Sequence, residues 1–348
     1  MRVELPQTSR MDALSELLRV VKLSGAMFFK STCSAPWCLN APPSKALLPY
    51  IRGKGTHVIE FHHLIEGTAY VHLGGEVTPL SAGDIVMVPH GDPHVMGAGT
   101  GGKPIDGSVA LPALSTGQLA MGTFGGGGAV TDFVCGYFAC DAELIKPVLA
   151  GLPRVLRINL RTEGADDWLG NTIRHALMQA ASNSPGSDVI LAHLAEVMFV
   201  EALRRYLLSL PEGRTGWLAG ARDPTVGRAL AALHRAPSQC WTLDSLAQEA
   251  GISRSVLTEK FACILGQPPM AYLTDWRLEL AAEALRSTSH SVQRVALEVG
   301  YESEAAFNRA FKRRFSVPPA RYRRAARDDE AARLRAPGST ARVAASAG

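Results

Sequence analysis

Residues 246–272, LAQEAGISRSVLTEKFACILGQPPMAY, and residues 295–322, VALEVGYESEAAFNRAFKRRFSVPPARY, are one unit written twice. Leu246-Ala247, Glu249 and Gly251 match Val295-Ala296, Glu298 and Gly300 at a shift of 49 residues. One extra residue in the second copy moves the shift to 50, at which Ser253, Leu257 and Phe261 match Ser303, Phe307 and Phe311. Pro268-Pro269 and Tyr272 then match Pro318-Pro319 and Tyr322. Each element has a physical role in a helix-turn-helix. Ala247 and Ala296 are small where two helices cross. Gly251 and Gly300 stand where the first helix ends, a place that favours a left-handed residue. Ser253 and Ser303 are suited to cap the next helix. The apolar pairs Leu257/Phe261 and Phe307/Phe311, four apart, bury one face of that helix and leave the other free for a major groove. A single helical hairpin is common in protein cores; the repetition is what makes this one specific.

Charge agrees with that reading. The net charge of +4 conceals −2 over residues 1–221 and +6 over residues 222–348. Between 305 and 327 stand eight basic residues and no acidic one. Such a cluster is either a solvated face or a nucleic-acid footprint, and the repeat supplies the scaffold for the second.

The segment Trp241–Arg323 resembles the DNA-binding domain of the AraC/XylS family of regulators. The stretch Gly300-Tyr301-Glu302-Ser303…Phe307-Asn308-Arg309-Ala310-Phe311-Lys312…Pro318-Pro319…Tyr322-Arg323 carries the family signature, and Tyr272-Leu273…Trp276-Arg277-Leu278…Ala281 resembles the helix joining its two units. One departure is Ser316, where the family has Gly and the first copy has Gly266. If that position needs a positive φ, Ser costs roughly 1 kcal/mol. The resemblance implies a monomer that places two recognition helices in successive major grooves of double-stranded DNA. The outward residues are then Arg254, Ser255, Thr258 and Glu259 in the first copy and Glu304, Ala305, Asn308 and Arg309 in the second. Arg309 is suited to guanine, Asn308 to a base or a phosphate, and Glu259 to cytosine or solvent. Lys312, Arg313, Arg321, Arg323 and Arg324 are the candidates for phosphate contacts.

Residues 1–160 read as short strands and turns. His57–Leu64, the Glu66-Gly67 turn and Thr68–Leu73 suggest a β-hairpin, and Ile85–Val88 a further strand. The eleven glycines of 97–128 suggest loops, Gly125–Gly128 included, because no Gly-Lys-Ser/Thr follows them. Phe61-His62-His63-Leu64-Ile65-Glu66-Gly67, then Ala82-Gly83-Asp84…Val88-Pro89-His90-Gly91-Asp92-Pro93-His94, resemble the sensor cupin found ahead of AraC-type DNA-binding domains, as does Cys135-Gly136-Tyr137-Phe138. Enzymatic cupins hold a metal through His-x-His, a Glu and a later His. Here His62 and His63 are adjacent and point to opposite faces of a strand. His62, Glu66 and His94 are the remaining metal candidates, but the preferred reading has no metal and no cofactor. Instead Phe61, His62, Tyr70, Met87 and His94 are candidates to bind an organic effector. Six cysteines do not make a disulfide scaffold; Cys33/Cys38 and Cys135/Cys140, with four residues between partners, leave redox sensing as a lesser alternative.

From 166 to 210 the period becomes helical, through Trp168, Ile173, Leu177, Val189, Ala192, Val197, Val200, Leu203 and Leu207. This segment either covers the preceding sheet or forms a homodimer contact. The expected architecture is α+β: a cupin-like β-barrel over 1–160, a helical linker over 161–221, two helix-turn-helix units over 222–324 and a flexible tail over 325–348. No apolar run approaches a membrane span and the N-terminus lacks a signal-peptide layout, so the expected place is the cytoplasm. The expected function is effector-responsive activation of transcription, with RNA polymerase as a partner. The alternatives are a metal-dependent cupin enzyme fused to a DNA-binding domain, or a constitutive DNA binder whose barrel is only structural.

Overall fold

The computed structural model describes residues 12–21, 23–51, 55–111, 120–161, 168–182 and 184–335. These residues divide into two compact units. One is built on β-sheet, from residues 23–145 and 152–209. The other is helical, from 146–151, 210–335 and the N-terminal helix α1 (Ala13–Val21).

In the sheet unit, eleven strands form two sheets. They are β1 (Ser24–Ser34), β2 (Trp37–Ala41), β3 (His57–Glu66), β4 (Thr68–Leu73), β5 (Glu76–Ser81), β6 (Asp84–Val88), β7 (His94–Ala98), β8 (Pro104–Asp106), β9 (Ala120–Gly125), β10 (Val130–Cys140) and β11 (Leu156–Asn159). A six-stranded sheet runs in the order β11-β6-β3-β10-β1-β9, and a five-stranded sheet in the order β5-β4-β7-β2-β8. Both are mixed: β1/β9 and β2/β8 are parallel, the other ladders antiparallel. Trp37, Leu39, Val71 and Met96 of the smaller sheet pack against Leu64, Val86, Phe133 and Tyr137 of the larger. Trp37 stacks on Phe133 with ring centroids 5.3 Å apart.

Two expectations for this unit are corrected. The hairpin across Glu66-Gly67 does not form, because β3 and β4 belong to different sheets. Gly67, at φ 81°, turns the chain against β10 so closely that a Cβ would lie 2.3 Å from the Val130 carbonyl oxygen. The hairpin that does form is β4–β5, closed by Gly74-Gly75 at φ 60° and 90° with Leu73 opposite Glu76, the two-residue loop that matches strand twist. Part of the glycine-rich 97–128 segment is also strand, namely the end of β7, β8 and β9; residues 112–119 lie outside the described residues. Gly126–Gly128 remain a loop.

The helix α2 (Ala142–Leu149) follows β10. Two longer helices, α3 (Trp168–Ala181) and α4 (Ser187–Ser209), belong to the sheet unit. Gly25 of β1 lets α4 approach the larger sheet: a Cβ there would come within 2.9 Å of Ala195. Phe199 meets Phe138 of β10 at 4.9 Å. The segment therefore covers the sheet. Its buried stripe is Leu191, Leu194, Ala195, Met198, Phe199, Ala202 and Leu203; of the apolar series read from the sequence, Leu203 is buried and Ala192 and Leu207 are half-buried, whereas Val189, Val197 and Val200 face outward with Ile190 and Leu208.

The helical unit continues with α5 (Trp217–Arg222), α6 (Val226–Arg235), α7 (Leu243–Ala250), α8 (Arg254–Leu265), α9 (Pro269–Ser287), α10 (Val292–Glu298), α11 (Glu304–Phe315) and α12 (Pro319–Arg335). Helix α1 packs on α6 and buries Leu14, Leu17 and Val21. The repeat is visible in its caps. Gly251 ends α7 and Gly300 follows α10, both at positive φ. Ser253 accepts from Val256 N at the start of α8, and Ser303 from Ala306 N at the start of α11. Leu257, Phe261, Phe307 and Phe311 are fully buried. Gly266 ends α8 at φ 73° and Ser316 ends α11 at φ 64°, the left-handed position anticipated from the missing glycine. Helix α12 runs to Arg335, so the tail expected from 325 is helical over its first eleven residues, and its remainder lies outside the described residues.

Candidate functional site

The outward face of α8 carries Arg254, Ser255 and Glu259 exposed and Thr258 half-buried. Three of these already have local partners, Ser255 through its hydroxyl, 3.1 Å from that of Ser253. Arg254 forms an exposed ion pair with Asp244 at 3.1 Å, and the Thr258 hydroxyl donates to the Arg254 carbonyl at 2.9 Å. On α11, Glu304, Ala305, Arg309, Lys312 and Arg313 are exposed and Asn308 is half-buried. Because Phe307 and Phe311 hold the opposite side of α11 against α9 and α10, these residues share one solvent face. Arg321 and Arg324 are exposed on α12.

Two cations of the basic cluster are structural. Arg323 donates to the carbonyls of Leu285 and His290, tying α12 to the end of α9, and so is engaged rather than available to a phosphate. Arg314 pairs at 2.6 Å with Glu279, a buried carboxylate of α9. The repeated tyrosines are anchors too: Tyr272 receives the Trp217 indole N–H at 2.8 Å, and Tyr322 receives Arg286 at 2.6 Å.

The second cluster is buried between the two sheets. His62 and His94 face each other with Nε2 atoms 2.6 Å apart. His94 Nδ1 lies 3.1 Å from the Asp92 carbonyl, and His62 Nδ1 lies 2.8 Å from Cys135 Sγ. Burial, with Asp92 opposing it, holds the His94 pKa below the ordinary histidine value, and burial together with His94 holds that of His62 far below it. Burial and the nearby Glu60 push the Cys135 thiol well up. Neutral rings and a protonated thiol admit one fully satisfied arrangement: Cys135 S–H donates to His62 Nδ1, His62 Nε2–H to His94 Nε2, and His94 Nδ1–H to the Asp92 carbonyl.

Glu60 completes the group. Its carboxylate accepts from the Ser44 hydroxyl at 2.8 Å, and burial raises its pKa to about 7 against that hydrogen bond. Sequence reading chose Glu66 instead. Glu66 is exposed at the end of β3, four residues beyond His62 and so about 13 Å along an extended strand. Glu60 precedes His62 by two, which puts both side chains on one face only about 7 Å apart along the strand; that short same-face spacing was the available signal. His63 turns to the other face, as expected, with Nδ1 3.2 Å from the Asp84 carbonyl.

The five effector candidates do not converge. His62 and His94 lie between the sheets. Phe61 and Met87, paired across β3 and β6, lie on the opposite face, where Phe61 stacks on Phe138 at 4.6 Å. Tyr70 is half-buried on β4, over Gly97.

Comparison with known proteins finds two matching regions. A cupin family model matches residues 12–208 and a helix-turn-helix domain model matches residues 246–325. An AraC-like transcription regulator of Streptomyces lividans is 31% identical over 90% of this chain and 98% of its own length. The chain belongs to the AraC-like family of transcription regulators. Another AraC-like regulator, from Streptomyces antibioticus, is 30% identical over 90% of this chain and 99% of its own. The regulator AlkR of Acinetobacter baylyi is 29% identical over the same share of this chain and 99% of its own. The chain is thus a DNA-binding regulator of this family, with a cupin match in its N-terminal part and a helix-turn-helix match in its C-terminal part. Among the described residues no helix is long and apolar enough to cross a membrane.

The cysteines of this AraC-like chain are free thiols. Burial raises Cys33 to about 11 and Cys140 to about 12, and pushes Cys135 up as well.

Proposed function

We propose that this regulator reads double-stranded DNA with α8 and α11 as the recognition helices of two helix-turn-helix units, entering successive major grooves. The observation that carries this is the duplicated arrangement of caps and buried aromatics, which leaves one polar face on each of the two helices. Arg309 pairs bidentately with guanine, Asn308 bonds a base or phosphate, and the Thr258 methyl meets a thymine methyl. Arg254, Ser255 and Glu259 set the first half-site, with Glu259 accepting from cytosine N4; Glu304 and Ala305 border the second. Lys312, Arg313, Arg321 and Arg324 hold phosphates.

In this reading the two facing sheets are a cupin-like sensor for a small effector, and effector binding shifts the population competent for operator binding. The protein acts in the cytoplasm as an activator, with RNA polymerase as its partner and without catalysis. The outward apolar residues Val189, Val197, Val200 and Leu208 of α4 suit a homodimer contact. Selection of bound sequences from random duplex DNA tests the reading. The full-length protein enriches two half-motifs about one helical turn apart, and Thr258→Ala and Arg309→Ala each blur one of them. Uniform weakening on operator and random DNA by both variants sinks the assignment.

A further inference from the structure

We infer that residues 216–225, at the end of the linker, position recognition helix α8, so that reading of the first half-site depends on the linker and reading of the second does not. The inference rests on α8 and α11 being the two recognition helices. Three polar contacts carry it, each made within the helical unit from residues that precede the helix-turn-helix match at 246–325. The last carbonyls of a helix find no partner inside it. That of Ile264, in the final turn of α8, accepts from the Gly216 backbone N–H at 2.6 Å. Lys260, on the flank of α8 between exposed Glu259 and buried Phe261, donates to Asp223 Oδ2 at 2.9 Å and to Thr225 Oγ1 at 3.0 Å. Asp223 is itself fixed, because its Oδ1 accepts from the backbone N–H groups of Thr225 and Val226 at 2.8 and 2.9 Å. Trp217 donates to the Tyr272 hydroxyl, and the Tyr272 ring stands edge-on to Phe261, the apolar anchor of α8, with centroids 6.2 Å apart. Gly220 lets α5 come this close, since a Cβ there would lie 2.9 Å from Leu265 Cδ2.

The second copy is held differently. At the 50-residue shift the position of Lys260 falls on Ala310, which is buried and uncharged. Helix α11 is instead fixed by its own neighbours: Arg314 pairs with Glu279 of α9, and Phe311 and Phe315 each lie 5.4 Å from the Tyr322 ring of α12. One reading head therefore takes its orientation from the linker and the other from the repeat itself. The linker has little slack. Only residues 210–216 separate α4 from α5, and Arg222 donates back to the Leu210 carbonyl. Base-edge hydrogen bonds weaken steeply with misalignment, so a small rotation of α8 costs it base discrimination.

The test measures binding of the full-length protein by fluorescence anisotropy on three duplexes: the selected operator, and that operator with either half-motif scrambled. The first half-motif is the one that Thr258→Ala blurs. Lys260→Met and Trp217→Phe are expected to weaken binding about five- to tenfold on the intact operator and on the duplex keeping only the first half-motif. The duplex keeping only the second is bound as by the wild type, and Lys260→Arg, which preserves the ion pair, restores the loss. Urea unfolding gives the folded fraction of each variant; if one of the two fails to fold, the other decides. Equal weakening on all three duplexes overturns the inference, whether it comes from general destabilisation or, with a salt dependence lowered by about one counterion, from a phosphate contact by Lys260. Unchanged binding by both folded variants overturns it as well. If Thr258→Ala and Arg309→Ala blur one half-motif each while Lys260→Met and Trp217→Phe blur neither, the positioning role alone has failed. If Thr258→Ala and Arg309→Ala spare both half-motifs, the recognition-helix reading has failed and this inference with it.

Discussion

Ser316 is the single described residue other than glycine with positive φ, and its counterpart in the repeat is Gly266. Both positions close a helix in the same way. Ser316 N donates to Lys312 O at 2.8 Å, and Gly266 N donates to Ala262 O at 3.0 Å. A Cβ built on Gly266 meets nothing within 4 Å, so exchange there changes backbone energetics and little else. Holding an L-residue in the left-handed region costs roughly 1–2 kcal/mol. Glycine gives back about 0.4–1 kcal/mol through the extra freedom of the unfolded chain. Ser316→Gly is therefore expected to stabilise the helical unit by about 0.5–1 kcal/mol, and Gly266→Ser to destabilise it by the same amount. For a unit of this size that is a shift of roughly 2–5 °C in opposite directions. The double variant returns close to the wild type, because the sites lie in separate helix pairs and share no partner. Urea and thermal unfolding of the full chain, followed by helical circular dichroism, measure all three. Destabilisation by Ser316→Gly, or a neutral Gly266→Ser, refutes the claim that backbone conformation alone distinguishes the two turns.

Four further outcomes follow from the same geometry. Ser253→Ala and Ser303→Ala each remove a helix cap and cost about 1 kcal/mol in the same unfolding assay. Arg314→Ala removes the 2.6 Å ion-pair partner of the buried Glu279 carboxylate and costs roughly 1–3 kcal/mol, discounted for the partial exposure of the arginine; adding Glu279→Gln recovers part of the loss. His234, fully buried beside Tyr272, has its pKa lowered to about 3 by burial, so only the unfolded chain gains a proton between its ordinary 6.5 and that value. Its stabilisation is complete above pH 6.5 and is lost as pH falls, about 1.4 kcal/mol between pH 7.5 and 5.5, and His234→Gln flattens that slope. Finally, Lys312→Ala lowers the salt dependence of DNA binding by about one counterion, whereas Arg323→Ala lowers stability and leaves the salt slope unchanged in titrations at varied ionic strength.

How much was legible in the sequence depended on whether a residue's role is local. The helix caps, the glycines that end α7 and follow α10, and the four-residue spacing of Leu257/Phe261 and Phe307/Phe311 are decided within a few residues, and all of them stand in the structure where the sequence put them. The strand of His62 and His63 was readable for the same reason, since alternation requires no knowledge of neighbours. The hairpin was misplaced because a Gly-containing turn looks the same whether its strands pair with each other or with others. The apolar series read on α4 mixed the buried Leu203 with the outward Val189, Val197 and Val200, because that helix is apolar on nearly every side and periodicity without contrast cannot select a face.

By itself, then, the sequence determined the duplicated helix pairs, their polar outward faces, the left-handed requirement at Ser316 and the alternation on β3. These depend on backbone geometry repeated every few residues. Tertiary structure alone decided that Glu60 and not Glu66 joins His62 and His94, that Phe61 and Met87 lie on the other side of the sheet, that Arg323 and Arg314 are engaged inside the fold, and which side of α4 is buried. Each of those outcomes depends on which element from a distant part of the chain arrives opposite a residue, and that is set by the pairing of strands and helices far apart in sequence.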